Sequence, residues 1–184
     1  RSLGSALASG TDADGRNHQM TDAPEIDGAT FRQVLGNYPT GVTIVSADDD
    51  GPCAMVIGSF GSVSLDPPLV QFMPAKDSKS WERIRRSGSY CVNVLSVDQL
   101  GMCNSFFGDG DPFDAIEWHP GVTGSPVIEG CLAYIDCEIE SAVDGGDHDI
   151  VLGRVVDLGV GLADGSPLLF FQGGYGTFQP LAKD

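Results

Sequence analysis

Seven runs rich in β-branched and aromatic residues dominate this chain, and helices do not alternate with them. The runs cover residues 41–47, 52–65, 68–74, 90–96, 131–143, 149–160 and 168–172, with Gly, Pro and Asp at most of their borders, the punctuation expected of strands. A doubly wound parallel sheet needs a helix after nearly every strand. Only three helical patterns are present. Residues 27–37 carry Phe31, Val34 and Leu35 at helical spacing, with Tyr38 next on the same face. Residues 80–87 follow two possible caps, Ser78 and Ser80, and precede Gly88; residues 97–107 form the third. The expected fold is mainly β, an antiparallel, barrel-like domain with a few short helices over its open ends. Asp144-Gly145-Gly146-Asp147 reads as a hairpin turn between two of the longest runs.

At 184 residues the chain can bury a core without staples. Residues 1–26 are small, polar and aperiodic, so they read as a disordered N-terminal extension with Met20 as a natural start, leaving 27–184 as the domain. Five cysteines, an odd number without a C-x-x-C pair, argue against a disulfide framework or a structural zinc and point to a reducing cytoplasm. No stretch approaches the roughly 20 apolar residues of a membrane span, and no export signal is visible at the N-terminus. A net charge of −16 excludes nucleic acid and anionic membrane as main partners, since either requires a broad cationic face.

The few cations are concentrated. Lys76, Lys79, Arg83, Arg85 and Arg86, half of the ten, lie within eleven residues. They form either a solvated helix face or an anion site. Just upstream, Met55, Val56, Ile57, Gly58, Ser59, Phe60 and Ser62 mix glycines and hydroxyls with apolar residues. One strand face there would be apolar and the other open enough for a flat ligand, or the glycines serve only barrel curvature. Lys76, Ser78, Lys79, Ser80 and Trp81 then place hydroxyls and ammonium groups before a helix, a combination suited to phosphate. Dinucleotide-binding, Walker, nucleophile-elbow and zincin signatures are absent, and three histidines are too few for a multi-histidine metal centre. No metal site is expected. Any chemistry must rest largely on an organic cofactor.

From Phe31 to about Phe178 the sequence resembles the flavin reductase family of FMN-binding split-barrel proteins, the reductase components of two-component flavin-dependent monooxygenases. The resemblance is carried by Phe31-Arg32 with Pro39-Thr40-Gly41-Val42-Thr43, by Ser59-Phe60 with Ser62 through Val70, and by Ser89 through Leu95. It continues in Gly146-Asp147-His148 through Val155 and in Pro167 through Tyr175. It implies a split β-barrel homodimer that moves hydride from NADH, or NADPH, to FMN or FAD. Reduced flavin would then pass to a separate monooxygenase component. It further implies that the strand matching Met55 to Ser62 lies along the flavin ring, that Ser78 to Trp81 meets the flavin phosphate, and that Asn104, Ser105 and Phe106 approach the flavin, with Pro39 and Thr40 also at the cofactor. At Val56, Ile57 and Gly58 many relatives carry a hydroxyl or amide, so here backbone groups would contact the ring edge.

Alone, His148 reads as a turn residue; the resemblance makes it the group that donates a hydrogen bond to the nicotinamide cofactor, oriented by Asp147 and Asp149. Tyr175 reads either as a stacking partner for the nicotinamide nucleotide or as C-terminal packing. Trp81 and Trp118 read as packing, Trp81 also as a shield for the flavin. The rival reading is a flavin-binding electron-carrier module of the same fold that takes no hydride.

Overall fold

The computed structural model describes residues 26–182. The expected extension over 1–26 lies, apart from the exposed Ile26, outside them. The strands are β1 (Thr40–Gly41), β2 (Thr43–Asp48), β3 (Pro52–Ile57), β4 (Gly61–Leu65), β5 (Pro68–Phe72), β6 (Ser89–Val94), β7 (Trp118–Pro120), β8 (Pro126–Ile128), β9 (Ala133–Asp144), β10 (Asp149–Val160), β11 (Leu169–Phe171) and β12 (Gly174–Gly176), and the helices are α1 (Gly28–Leu35), α2 (Lys79–Ser87) and α3 (Leu100–Ser105). Seven strands form one antiparallel sheet in the order β3-β2-β6-β9-β10-β5-β4. None of its described helices is long and apolar enough to cross a membrane.

The barrel follows from connectivity. β3 and β4 stand at opposite edges of the sheet, yet only Gly58, Ser59 and Phe60 join them. Such a link reaches about 14 Å at most, whereas seven flat strands would span about 29 Å. The sheet must roll until its edges approach, and because β3 and β4 do not pair, the barrel stays split. Residues 52–65, expected as one run, break there for this long-range reason.

Inside, Val45, Cys53, Ile57, Phe72, Tyr90, Val92, Cys137 and Val151 pack together. Helix α2 closes this core with Trp81 and Ile84. Its start is capped by Ser78, whose Oγ accepts from the Trp81 N–H at 3.2 Å, and it ends at Gly88 with φ +77°, the left-handed conformation glycine adopts freely. On the other face of β2, Ile44 joins Leu95, Cys103, Ile128 and Leu168 beneath α3.

All five cysteines are buried and free. Burial pushes the Cys131 thiol up to about 11 and that of Cys137 to about 12, and raises Cys53, Cys91 and Cys103 as well.

Helix α1 departs from a usual amphipathic helix. Asp27 caps it through bonds from the Ala29 and Thr30 N–H groups, but Phe31, Val34, Leu35 and Tyr38 are all more than half exposed. The apolar stripe is present, and no other described residue covers it.

Candidate functional site

One short segment, 73–78, connects the regions that the sequence singled out. At its start Met73 exchanges two hydrogen bonds with Ser59, donating to Oγ at 2.9 Å and accepting from it at 3.2 Å. That fastens it to the Gly58–Phe60 corner at the barrel split. Next, the Asp149 N–H donates to the Pro74 carbonyl at 3.0 Å, Ala75 pairs with His148, and the Lys76 N–H donates to the Asp147 carbonyl at 3.0 Å. The segment therefore runs along the tip of the β9–β10 hairpin. It ends at Ser78, the cap of α2. Corner, hairpin and helix start are held together by bonds to five of these six residues.

β3 pairs only with β2, so its second edge faces the split with unpaired backbone groups available to a ligand. Its side chains alternate. Cys53, Met55 and Ile57 pack on the inner core, while Ala54 and Val56 pack outward with Phe106. Both faces are apolar, so the expected open face is absent, and Met55 and Ile57 offer a ligand only backbone. Gly58 sits against Thr40: a Cβ would stand 3.0 Å from Thr40 Oγ1. Ser62 is exposed on β4 opposite Val70.

Phe106 and Ser80 border a cavity of about 400 Å³ with Pro52, Ala54, Arg83 and Phe113, the last with its ring edge-on to Phe106 at 6.0 Å. Sequence reasoning missed Phe113, which sits in a turn between acidic residues without periodicity. Ser105 turns its hydroxyl back to the Met102 carbonyl at 2.7 Å, and Asn104 is exposed. Pro39 and Tyr175 line a separate groove of about 390 Å³ with Leu169 and Phe171. Tyr175 packs edge-on to Phe170 at 5.3 Å, and its hydroxyl lies 3.9 Å from Cys103 Sγ on α3. Desolvation, then the neighbouring thiol, raises its pKa.

The charges sort themselves. Arg83 donates to the carbonyls of Asp49 at 2.8 Å and Gly51 at 2.9 Å, and Arg86 binds the Asp49 carboxylate at 2.6 Å. These arginines tie α2 to the β2–β3 turn, and Arg86 holds the Asp49 carboxyl below its ordinary value. Lys76 binds the β9–β10 hairpin through Asp144 at 2.9 Å and the Gly146 carbonyl at 2.6 Å. Lys79 forms no ion pair among the described residues. Trp81, expected to shield a ligand, is only 2% exposed and edge-on to Phe72 at 5.8 Å. Its indole closes the core, and its Nε1–H donates to Asp149 Oδ2 at 2.9 Å. Asp149 therefore holds Trp81 and does not orient His148.

Asp147 does meet His148, with Oδ1 2.8 Å from Nδ1. Hydrogen bonding to that imidazole, then its charge, pulls the Asp147 carboxyl below its usual value, so it is an anion at neutral pH and can only accept. With Nδ1 directed at that carboxylate, Nε2 is the ring atom left for a ligand, an acceptor in the neutral form of the imidazole and a donor in the charged form.

Fold and site together define a split-barrel protein in which the split edge, the β9–β10 hairpin and the start of α2 converge on one segment. The chain belongs to the flavin reductase family: residues 35–179 match the model described as a flavin reductase like domain. It is 52% identical over 159 residues to a flavin reductase of Pseudomonas putida, covering 85% of this chain and 93% of that one. It is 47% identical over 160 residues to the flavin-dependent monooxygenase reductase subunit HsaB of Rhodococcus jostii, covering 86% and 82%. The Streptomyces globisporus NADH:FAD oxidoreductase SgcE6, solved with NAD and FAD fragments, superposes with a TM-score of 0.80 at 36% identity, covering 85% of this chain and 96% of that one. Further relatives are named as NADH-dependent FMN and FAD reductases.

Proposed function

We propose that this protein is an NAD(P)H:flavin oxidoreductase, NADH being the cofactor named for its relatives, which reduces FMN or FAD for a separate flavin-dependent monooxygenase. The observation that carries this reading is the convergence of the split edge, the α2 start and the His148 hairpin on residues 73–78. The donor set fits a flavin. Unpaired β3 backbone suits the ring edge, while the first turn of α2, the Ser80 hydroxyl and the Lys79 ammonium suit a dianionic phosphate. Flavin bound there supplies the hydride-accepting ring.

The chain's own residues bind, orient and exclude water. Gly58 allows close approach at the corner. Phe106 and Val56 give an apolar wall, and Pro39, Thr40, Ser62, Asn104 and Tyr175 stand as outer contacts. His148 is the nicotinamide contact. With Nδ1–H committed to Asp147, Nε2 in the neutral form of the ring accepts from the carboxamide N–H₂, where the resemblance implied a donor. Purified protein mixed with NADH and catalytic free flavin should bleach the nicotinamide absorbance at about 340 nm. A carrier module would arrive yellow and leave NADH untouched.

A homodimer is part of the proposal, supported by the α1 stripe, exposed among the described residues, and by Leu158 and Val160, exposed on β10. Sedimentation should give twice the chain mass, and a monomer at micromolar concentration would remove this element. A cytoplasmic setting is supported by five free thiols.

A further inference from the structure

Lys76 stands beside the presumed phosphate site in sequence, but the fold gives it other work. Its ammonium donates to Asp144 Oδ1 and to the Gly146 carbonyl, and its backbone N–H donates to the Asp147 carbonyl. Asp144 Oδ1 also accepts from the Gly146 N–H at 2.8 Å, and the Gly145 N–H closes on the His148 carbonyl at 3.0 Å. Two consecutive carbonyls of one tight turn are thus held by a single lysine, one through its side chain and one through its main chain. Gly146, at φ +94°, has the left-handed backbone that glycine adopts at little cost.

We propose that Lys76 is a positioning residue for nicotinamide binding: it fixes the turn that carries His148 and does not bind the flavin phosphate. The proposal rests on the reading of His148 given above. An exposed lysine–carboxylate pair adds little to stability, so the contribution is geometric. A hydrogen bond weakens steeply once its distance or angle is lost, and the imidazole shares a backbone with the two clamped carbonyls. An ammonium has three donors; two of those on Lys76 are engaged by the hairpin, where a phosphate would compete for the same charge. Lys79, three residues on and unpaired among the described residues, has no such conflict.

The test compares Lys76→Ala, Lys76→Arg, Lys79→Ala, His148→Ala and the Lys76→Ala/His148→Ala double variant. Its readouts are KM for NADH, kcat, the ratio of FMN to riboflavin affinity from flavin fluorescence, and amide NMR shifts of Gly145 to His148. Lys76→Ala should raise KM for NADH about fivefold with kcat within about twofold, the loss of one well-placed hydrogen bond. It should shift the turn's amide resonances and leave the FMN-to-riboflavin ratio unchanged. Lys76→Arg, still able to reach both acceptors, should restore most of the loss. The double variant should be no worse than His148→Ala, because placement is immaterial once the imidazole is gone.

Lys79→Ala should instead lower FMN affinity and spare riboflavin. That pattern in Lys76→Ala would overturn the proposal, as would unmoved turn resonances or additive losses in the double variant. A KM rise in His148→Ala with none in Lys76→Ala rejects the positioning role alone. Shifted resonances with a silent His148→Ala reject the nicotinamide reading of His148, and the positioning role with it.

Discussion

Replacing His148 with alanine should raise KM for NADH about tenfold, the equivalent of one hydrogen bond of roughly 1.4 kcal/mol, and leave flavin affinity within about twofold. The stated chemistry gives a sharper form of the result. Since Nδ1 is committed to Asp147, Nε2 in the neutral form of the ring is an acceptor. Its natural partner is the carboxamide N–H₂ of the nicotinamide. The reduced 3-acetylpyridine analogue of NADH lacks that donor, so the parent should prefer NADH over it and His148→Ala should lose most of the preference. Equal discrimination by parent and variant would mean that the imidazole does not touch the carboxamide.

The second large effect concerns the core. Gly153, inside β10, leaves no room for a side chain: a Cβ there would overlap the Tyr90 hydroxyl and stand 2.6 Å from Cζ. Tyr90 is fully buried, with its ring 4.9 Å from that of Phe72, so it cannot swing aside. Gly153→Ala should therefore destabilise the protein by about 3 kcal/mol, at the upper end of overpacking costs, as read from urea unfolding. Tyr90→Phe should be neutral or slightly stabilising, because the hydroxyl is buried without a hydrogen-bond partner. Combined with Gly153→Ala it should recover only part of the loss, since ring carbons as well as oxygen are in the way. Full tolerance of Gly153→Ala would show that β10 can shift outward at its irregularity beside Leu152.

Gly153 also shows what the sequence could and could not convey. It lies in the stretch that carries the family resemblance, and so does Tyr90, yet that the two fit against one another is visible only once β10 and β6 flank β9. Local signals were legible. The turn at 144–147, the Ser78 cap, Gly88 after α2 and the long β9 and β10 runs all follow from nearest-neighbour chemistry. The break at Gly58–Phe60 was not, because it arises where the two far edges of a rolled sheet meet. Three-residue strands such as β7, β8 and β12 have too few positions to show a period. The site divided the same way. Residue types at the proposed site were readable, but partners were not: Lys76 and Lys79 look alike in sequence, and only the hairpin folding back onto 73–78 separates them. Trp81 fell to the core because α2 turns its apolar side into the barrel.

The buried thiols have a chemical consequence for a protein of this activity. Reduced flavin that escapes its acceptor reacts with dioxygen, returning oxidised flavin and hydrogen peroxide, so such a reductase works beside a source of oxidant. Peroxide attacks thiolates, and does so where they are exposed. Here every cysteine is hidden and its ionisation is pushed away from neutrality, so neither condition is met. The same barrel core that gives the protein its shape therefore places its sulfur out of reach of that oxidant.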